Sequence, residues 1–87
     1  VNPKSRLSLQ SHEKRQETWI VLEGVATITI DEDIFIKKEN ESIHIPQGAR
    51  HRLENKNNKI LKVIEIQTGS YFGEDDIKRF DDDYNRL

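Results

Sequence analysis

Two short patterns of metal-ligand side chains lie far apart in this 87-residue chain. The first is Gln10-x-His12-x4-Glu17-x6-Gly24, and the second is Pro46-x-Gly48-x2-His51-x3-Asn55. Together Gln10, His12, Glu17 and His51 offer two imidazoles, one carboxylate and one amide oxygen. That donor set suits zinc, manganese, cobalt, nickel or iron, whereas calcium would want more oxygens. The chain has no cysteine, so a bound metal has only nitrogen and oxygen donors to use. A lone histidine is usually a surface or hydrogen-bonded residue, and His44, outside both patterns, is read that way. Two patterns occurring jointly are much harder to reach by chance, and a metal site is expected.

A site drawn from two distant segments needs a fold that brings them face to face, and a small β-barrel does so. The chain supports this, because its segments are short, rich in Ile, Val and Thr, and separated by polar turns. Strands are expected over residues 7–12, 17–23, 24–30, 34–37, 42–45, 51–54 and 60–67. Turns are expected at 13–16, 31–33, 38–41 and 46–48, with a bend at Gly24 and a polar loop over 55–59. Side chains alternate along a strand, so Gln10, His12 and Lys14 share a face if the first strand runs that far. Near the end, Ile77, Phe80 and Tyr84 recur at i, i+3 and i+7 behind acidic residues, which predicts a short helix over residues 75–84. The expected architecture is one all-β domain, residues 1–87, folded as a closed jelly-roll or barrel of six to eight strands with a terminal helix.

Composition narrows the partners. Apolar residues make up 33% and charged residues 34%, so the core is thin, and a metal or a dimer interface would add stability. A net charge of −2 gives no basic face of the kind nucleic acid requires. No apolar run reaches membrane-spanning length, and Val1-Asn2-Pro3-Lys4 does not open a signal peptide, so a cytoplasmic location is expected. Methionine is absent even at position 1, which is read as a processed or excised chain.

The two spacings match the paired cupin motifs, G-x5-(H/Q)-x-H-x(3,4)-E-x6-G and G-x5-P-x-G-x2-H-x3-N. Three longer stretches go further: LSLQ-x-H-x2-R-x-E-x-W-I-V, IP-x-G-x2-HRLEN, and IEIQTGSYFGEDDIKRF followed by DDDYNR. Over residues 3–86 the chain resembles the type II phosphomannose isomerase cupin. In that family it is commonly the C-terminal part of a bifunctional mannose-1-phosphate guanylyltransferase/mannose-6-phosphate isomerase. The resemblance implies a cupin double-stranded β-helix with Gln10, His12, Glu17 and His51 as ligands of a divalent zinc, manganese, cobalt or nickel ion. It also implies interconversion of mannose 6-phosphate and fructose 6-phosphate, serving GDP-mannose and polysaccharide synthesis, with a guanylyltransferase domain upstream in a longer chain. The family usually reads H-H-H-R-x-E-H-W where this chain has His12-Glu13-Lys14-Arg15-Gln16-Glu17-Thr18-Trp19, and Gly where it has Lys4. These departures remove no ligand, but they change the groups beside the metal.

Such an isomerisation needs a cation at the sugar oxygens, a base for the carbon-bound proton, and a grip on the phosphate. Arg15, Lys14, Arg50 and Arg52 cluster around the ligand segments. Arg15 is expected to contact the substrate, with Arg52 a weaker second contact because its parity opposes that of His51. For the proton-transfer group the candidates are Lys14, whose pKa a nearby cation would lower, and Glu65, a carboxylate in the middle of a strand. Glu65 reads slightly better as a solvent-side residue on an alternating strand, and Trp19 reads better as core than as pocket wall. A non-catalytic cupin that binds a sugar phosphate or sugar nucleotide is the alternative, favoured by the replaced histidines. An iron oxygenase is a third reading, which Gln10 disfavours by closing a coordination position. A homodimer paired through strand edges is expected.

Overall fold

Period-two alternation sorts the side chains of this chain into an inward and an outward set, and the strands follow from it. The computed structural model describes residues 1–71 and 76–81. Among these residues nine strands form: β1 (Ser5–Arg6), β2 (Leu9–Ser11), β3 (Arg15–Glu23), β4 (Ala26–Ile30), β5 (Asp33–Lys37), β6 (Ser42–Ile45), β7 (His51–Asn55), β8 (Lys62–Gly69) and β9 (Lys78–Asp81). One antiparallel sheet runs β5-β4-β7-β2-β9, with β1 also paired to β7, and the other runs β6-β3-β8. No helix among the described residues is long and apolar enough to cross a membrane.

The two sheets enclose a small apolar core of Trp19, Val21, Ala26, Ile28, Ile45, Leu53 and Leu61. Strand β3 shows how the alternation works, since Arg15, Glu17, Trp19 and Val21 are buried while Gln16 and Leu22 are exposed. Its neighbours are fixed in register, with Glu17 opposite Ile45 of β6 and Gln67 of β8. In the other sheet His51 of β7 lies between Gln10 of β2 and Ile30 of β4. The ligand segments thus sit on facing sheets, as the two patterns require. Asn55, which closes the second pattern, has a structural task. Its buried carboxamide donates to the Val1, Asn2 and Lys59 carbonyls and accepts from the Asn57 amide at 3.1 Å, stapling the first residues to the 55–59 loop.

Several sequence expectations need correction. The turn expected over 13–16 is shorter, because β3 already starts at Arg15. Strand β1 was not expected, and β8 runs two residues later at each end than the predicted 60–67. The largest difference is at the C-terminal end, where residues 78–81 form strand β9 instead of the expected helix. Strand β9 pairs with β2, which would otherwise present an open row of N–H and C=O groups. A short helical stripe gains little by itself, so the sheet pairing prevails. Phe80 packs under the Arg50 guanidinium, 4.5 Å from the ring centre. Tyr84 and the other ends of the predicted helix lie outside the described residues.

Candidate metal centre

His12 follows β2, Glu17 lies in β3, and His51 opens β7 behind the Pro46–Gly48 corner. Gly48 has φ +81°, a left-handed value that a side chain disfavours. This conformation lets its amide donate to the His12 carbonyl at 2.7 Å, so a backbone bond joins the two sequence patterns directly. His12, Glu17 and His51 are all buried, and one ligand-type atom from each lies within 4.8 Å of the others. Gln10, half-buried, lines the same cavity beside His51.

The hydrogen bonds around these residues preset them for coordination. His12 Nδ1 donates to the Asp76 carbonyl at 3.1 Å, and His51 Nδ1 donates to the Ala49 carbonyl at 3.3 Å. A carbonyl oxygen only accepts, so both Nδ1 atoms carry a proton, and in the neutral imidazole the lone pair is then on Nε2. Backbone carbonyls fix metal-ligating histidines in this way in many proteins. Glu17 Oε1 accepts from Trp19 Nε1 at 2.9 Å, which leaves Oε2 at 3.2 Å from His12 Nε2. Burial pushes the His51 pKa down. The Glu17 charge and the Ala49 carbonyl oppose that, while His12 and Arg15 add to it. His51 is therefore held as the neutral imidazole that coordination needs. The donor set and its orientation fit a divalent ion.

The cavity, of about 230 Å³, is lined by Arg15 and Glu17 of β3 with Glu65 and Gln67 of the neighbouring β8 from one sheet, and by Gln10 and His51 from the other. Arg15 is buried, with Nη2 donating to His12 Nε2 at 3.1 Å and Nε 3.6 Å from Glu17 Oε2. Gly69 is opposite Arg15 on β8, where a Cβ would collide with the backbone of Lys14 and Arg15. That close approach lets the Ser70 amide donate to the Lys14 carbonyl at 2.9 Å and holds the start of β3 in place. Glu65 is exposed and also lines the cavity. Enclosure pushes its carboxyl pKa up and the Glu17 charge adds to this, with Arg15 acting in the opposite sense.

Other sequence candidates lie elsewhere. Lys14 is exposed, its Nζ 5.2 Å from the centre of the Tyr71 ring, and it does not line the cavity. Because β2 ends at Ser11, the face-sharing argued for Lys14 does not extend to it. Arg52 is buried on the opposite face of β7, where its Nε donates to the Leu7 carbonyl at 3.0 Å, and it does not line the cavity either. His44 is exposed on the outer face opposite Thr18, as a surface histidine should be. Trp19 does both jobs weighed for it: it belongs to the core, and its ring meets His51 edge-on at 5.5 Å.

Asp76 was not singled out from the sequence. Its carbonyl holds His12, while its carboxylate accepts from the Glu13 and Lys14 amides at 3.1 and 2.9 Å. It thereby sets the turn between β2 and β3. Gln67, opposite Glu17 in register and lining the cavity, was missed as well. Its inward parity on β8 was the available signal.

Fold and site together define a cupin. The structure superposes on the Cnp3 cupin domain of Schizosaccharomyces pombe with a TM-score of 0.77 at 11% identity, covering 80% of this chain and 51% of that one. Residues 1–82 match the family model described as Mannose-6-phosphate isomerase C-terminal, and the chain belongs to that family. It is 51% identical over 86 residues to the alginate biosynthesis protein AlgA of Pseudomonas putida, covering 99% of this chain and 18% of AlgA. It is also 51% identical over 87 residues to the mannose-1-phosphate guanylyltransferase of Escherichia coli K12, covering 100% of this chain and 18% of that protein. The chain therefore spans less than a fifth of these curated relatives.

Proposed function

We propose that this chain is a metal-dependent mannose-6-phosphate isomerase domain, interconverting mannose 6-phosphate and fructose 6-phosphate for GDP-mannose and polysaccharide synthesis. One observation carries the reading: in a chain of this family, His12, Glu17 and His51 converge with both imidazoles already oriented for coordination. The names of the relatives, in alginate biosynthesis and mannose-1-phosphate guanylyl transfer, support the substrate class. Gln10, His12, Glu17 and His51 would hold the ion, zinc or else manganese, cobalt or nickel. When bound, it supplies positive charge beside the sugar oxygens on which negative charge develops.

The chain's own groups supply the rest. The Arg15 guanidinium grips the phosphate, whose oxygens match its fork of donors. The Glu65 carboxylate takes the proton from C2 of the open-chain aldose and returns it to C1, while the O2 proton passes to O1. A carboxyl pushed upward by its surroundings is better matched to that exchange near neutral pH than an ordinary one. Lys14 and Arg52 have no part in this assignment, given where their side chains lie. A guanylyltransferase domain in a longer chain and a homodimer through exposed sheet edges complete the proposal.

The non-catalytic alternative drew its support from the replaced family histidines. Those replacements are Glu13, Lys14 and Thr18, and none of the three lines the cavity. This favours the catalytic reading. Purified protein supplied with cobalt, manganese or zinc is expected to convert mannose 6-phosphate in a coupled assay. Saturable sugar-phosphate binding without turnover would establish the alternative instead.

A further inference from the structure

Arg15 lies against the same two atoms that a metal ion would use, hydrogen-bonded to one and ion-paired with the other. Its Nη2 donates to His12 Nε2 at 3.1 Å, and its Nε lies 3.6 Å from Glu17 Oε2. His12 Nδ1 already donates to the Asp76 carbonyl, so the ring has a single lone pair left, on Nε2. That lone pair can accept an N–H from Arg15 or bind a metal, but it cannot do both. The guanidinium is buried among the candidate ligands, so its charge also repels an incoming cation at short range.

Building on the metal site proposed above, we infer that Arg15 is a built-in competitor for that site, which a divalent ion must displace from His12 and Glu17. Loading the metal and releasing the guanidinium are then one event. Arg15 becomes available to an anionic group only after it has left those two atoms, which orders metal binding ahead of the phosphate grip. The sign of the effect separates this from an ordinary supporting role. Groups that merely orient ligands strengthen metal binding, and their loss weakens it about 10–100-fold. A competitor does the reverse, because its loss removes both the rival hydrogen bond and the repulsion.

The test is zinc titration calorimetry on the chelator-treated full chain, comparing wild type with Arg15→Ala and Arg15→Gln. Both variants are expected to bind zinc about tenfold more tightly or better, the worth of a hydrogen bond to a charged group. Unchanged or weaker zinc binding in folded variants overturns the inference while leaving the metal site standing. No zinc binding by wild type overturns both. A second measurement needs no substitution. In wild type labelled with ¹⁵N-arginine, the Arg15 Nε–H signal should be protected from solvent exchange without zinc and lose that protection at equimolar zinc. A signal that zinc leaves unmoved also overturns the inference.

Discussion

The interior of this domain has two ends of opposite character. At one end Val21, Ala26, Ile28, Ile45 and Leu61 are 1% exposed or less, and at the other His12, Arg15, Glu17 and His51 are hidden almost as well, at 3–6%. Trp19 and Leu53 belong to both, since each is part of the core and lines the cavity. The same strands run through both ends. Inward positions of β3 pass from Arg15 and Glu17 to Trp19 and Val21, and those of β8 from Gln67 and Glu65 to Val63. Burying charged groups is unfavourable unless they are paired, and even then the balance is close to even. The apolar end therefore supplies the stability that lets the polar end exist. Alternation decides which face a residue takes, and position along the strand decides whether that face is core or site.

If the two ends divide labour in this way, substitutions should separate turnover from stability. The largest effect is expected at the polar end: Glu65→Gln should lower isomerase turnover about 10²–10⁴-fold, read from initial rates. The same variant should not lose stability at neutral pH. The Glu65 pKa is raised in the fold above its ordinary 4.5, so the native state holds the proton more tightly than the unfolded chain. Ionisation thus penalises the native state as pH rises through and above 4.5, and the substitution relieves that penalty. Thermal melts should show a higher Tm for the variant at pH 7.5 and little difference at pH 4. A lower Tm at pH 7.5 would break the comparison.

At the apolar end, Ile28→Ala should cost about 2–5 kcal/mol in urea unfolding, a large share of the stability of so small a domain. At the boundary, Trp19→Phe keeps most of the packing but removes the N–H that holds Glu17. Zinc affinity should fall about 10–100-fold by calorimetry, with less than about 1.5 kcal/mol lost in stability. The smallest effect is expected at Lys4, which has φ 57° where the family usually has glycine. Lys4→Gly should gain about 1 kcal/mol in urea unfolding, offset in part by losing the exposed Nζ bond to the Lys56 carbonyl.

The elements legible from the sequence were those written in alternating residues. Strands β3 to β7 start within two residues of expectation, and the spacing of the two patterns led to the cluster on facing sheets. Parity also explains Arg52, whose side chain is on the face away from His51. Parity failed for Lys14 because it assumed that β2 continued, and nothing local marks Ser11 as its end. The role of Asp76 was illegible for a different reason. It acts on His12 from 64 residues away, through a backbone carbonyl that every residue possesses. Strand β9 was likewise hidden, because the open edge of β2 exists only after the sheet has formed.

Metal content per chain addresses the converging ligands most directly. Chelator-treated wild type, Glu17→Ala and His51→Ala would each be reloaded with cobalt, desalted and assayed for bound metal. About one cobalt per wild-type chain and essentially none in either variant is the expected outcome for a site of this donor set. Full retention by either variant, or a wild type that keeps no metal, would mean that these side chains do not form the site.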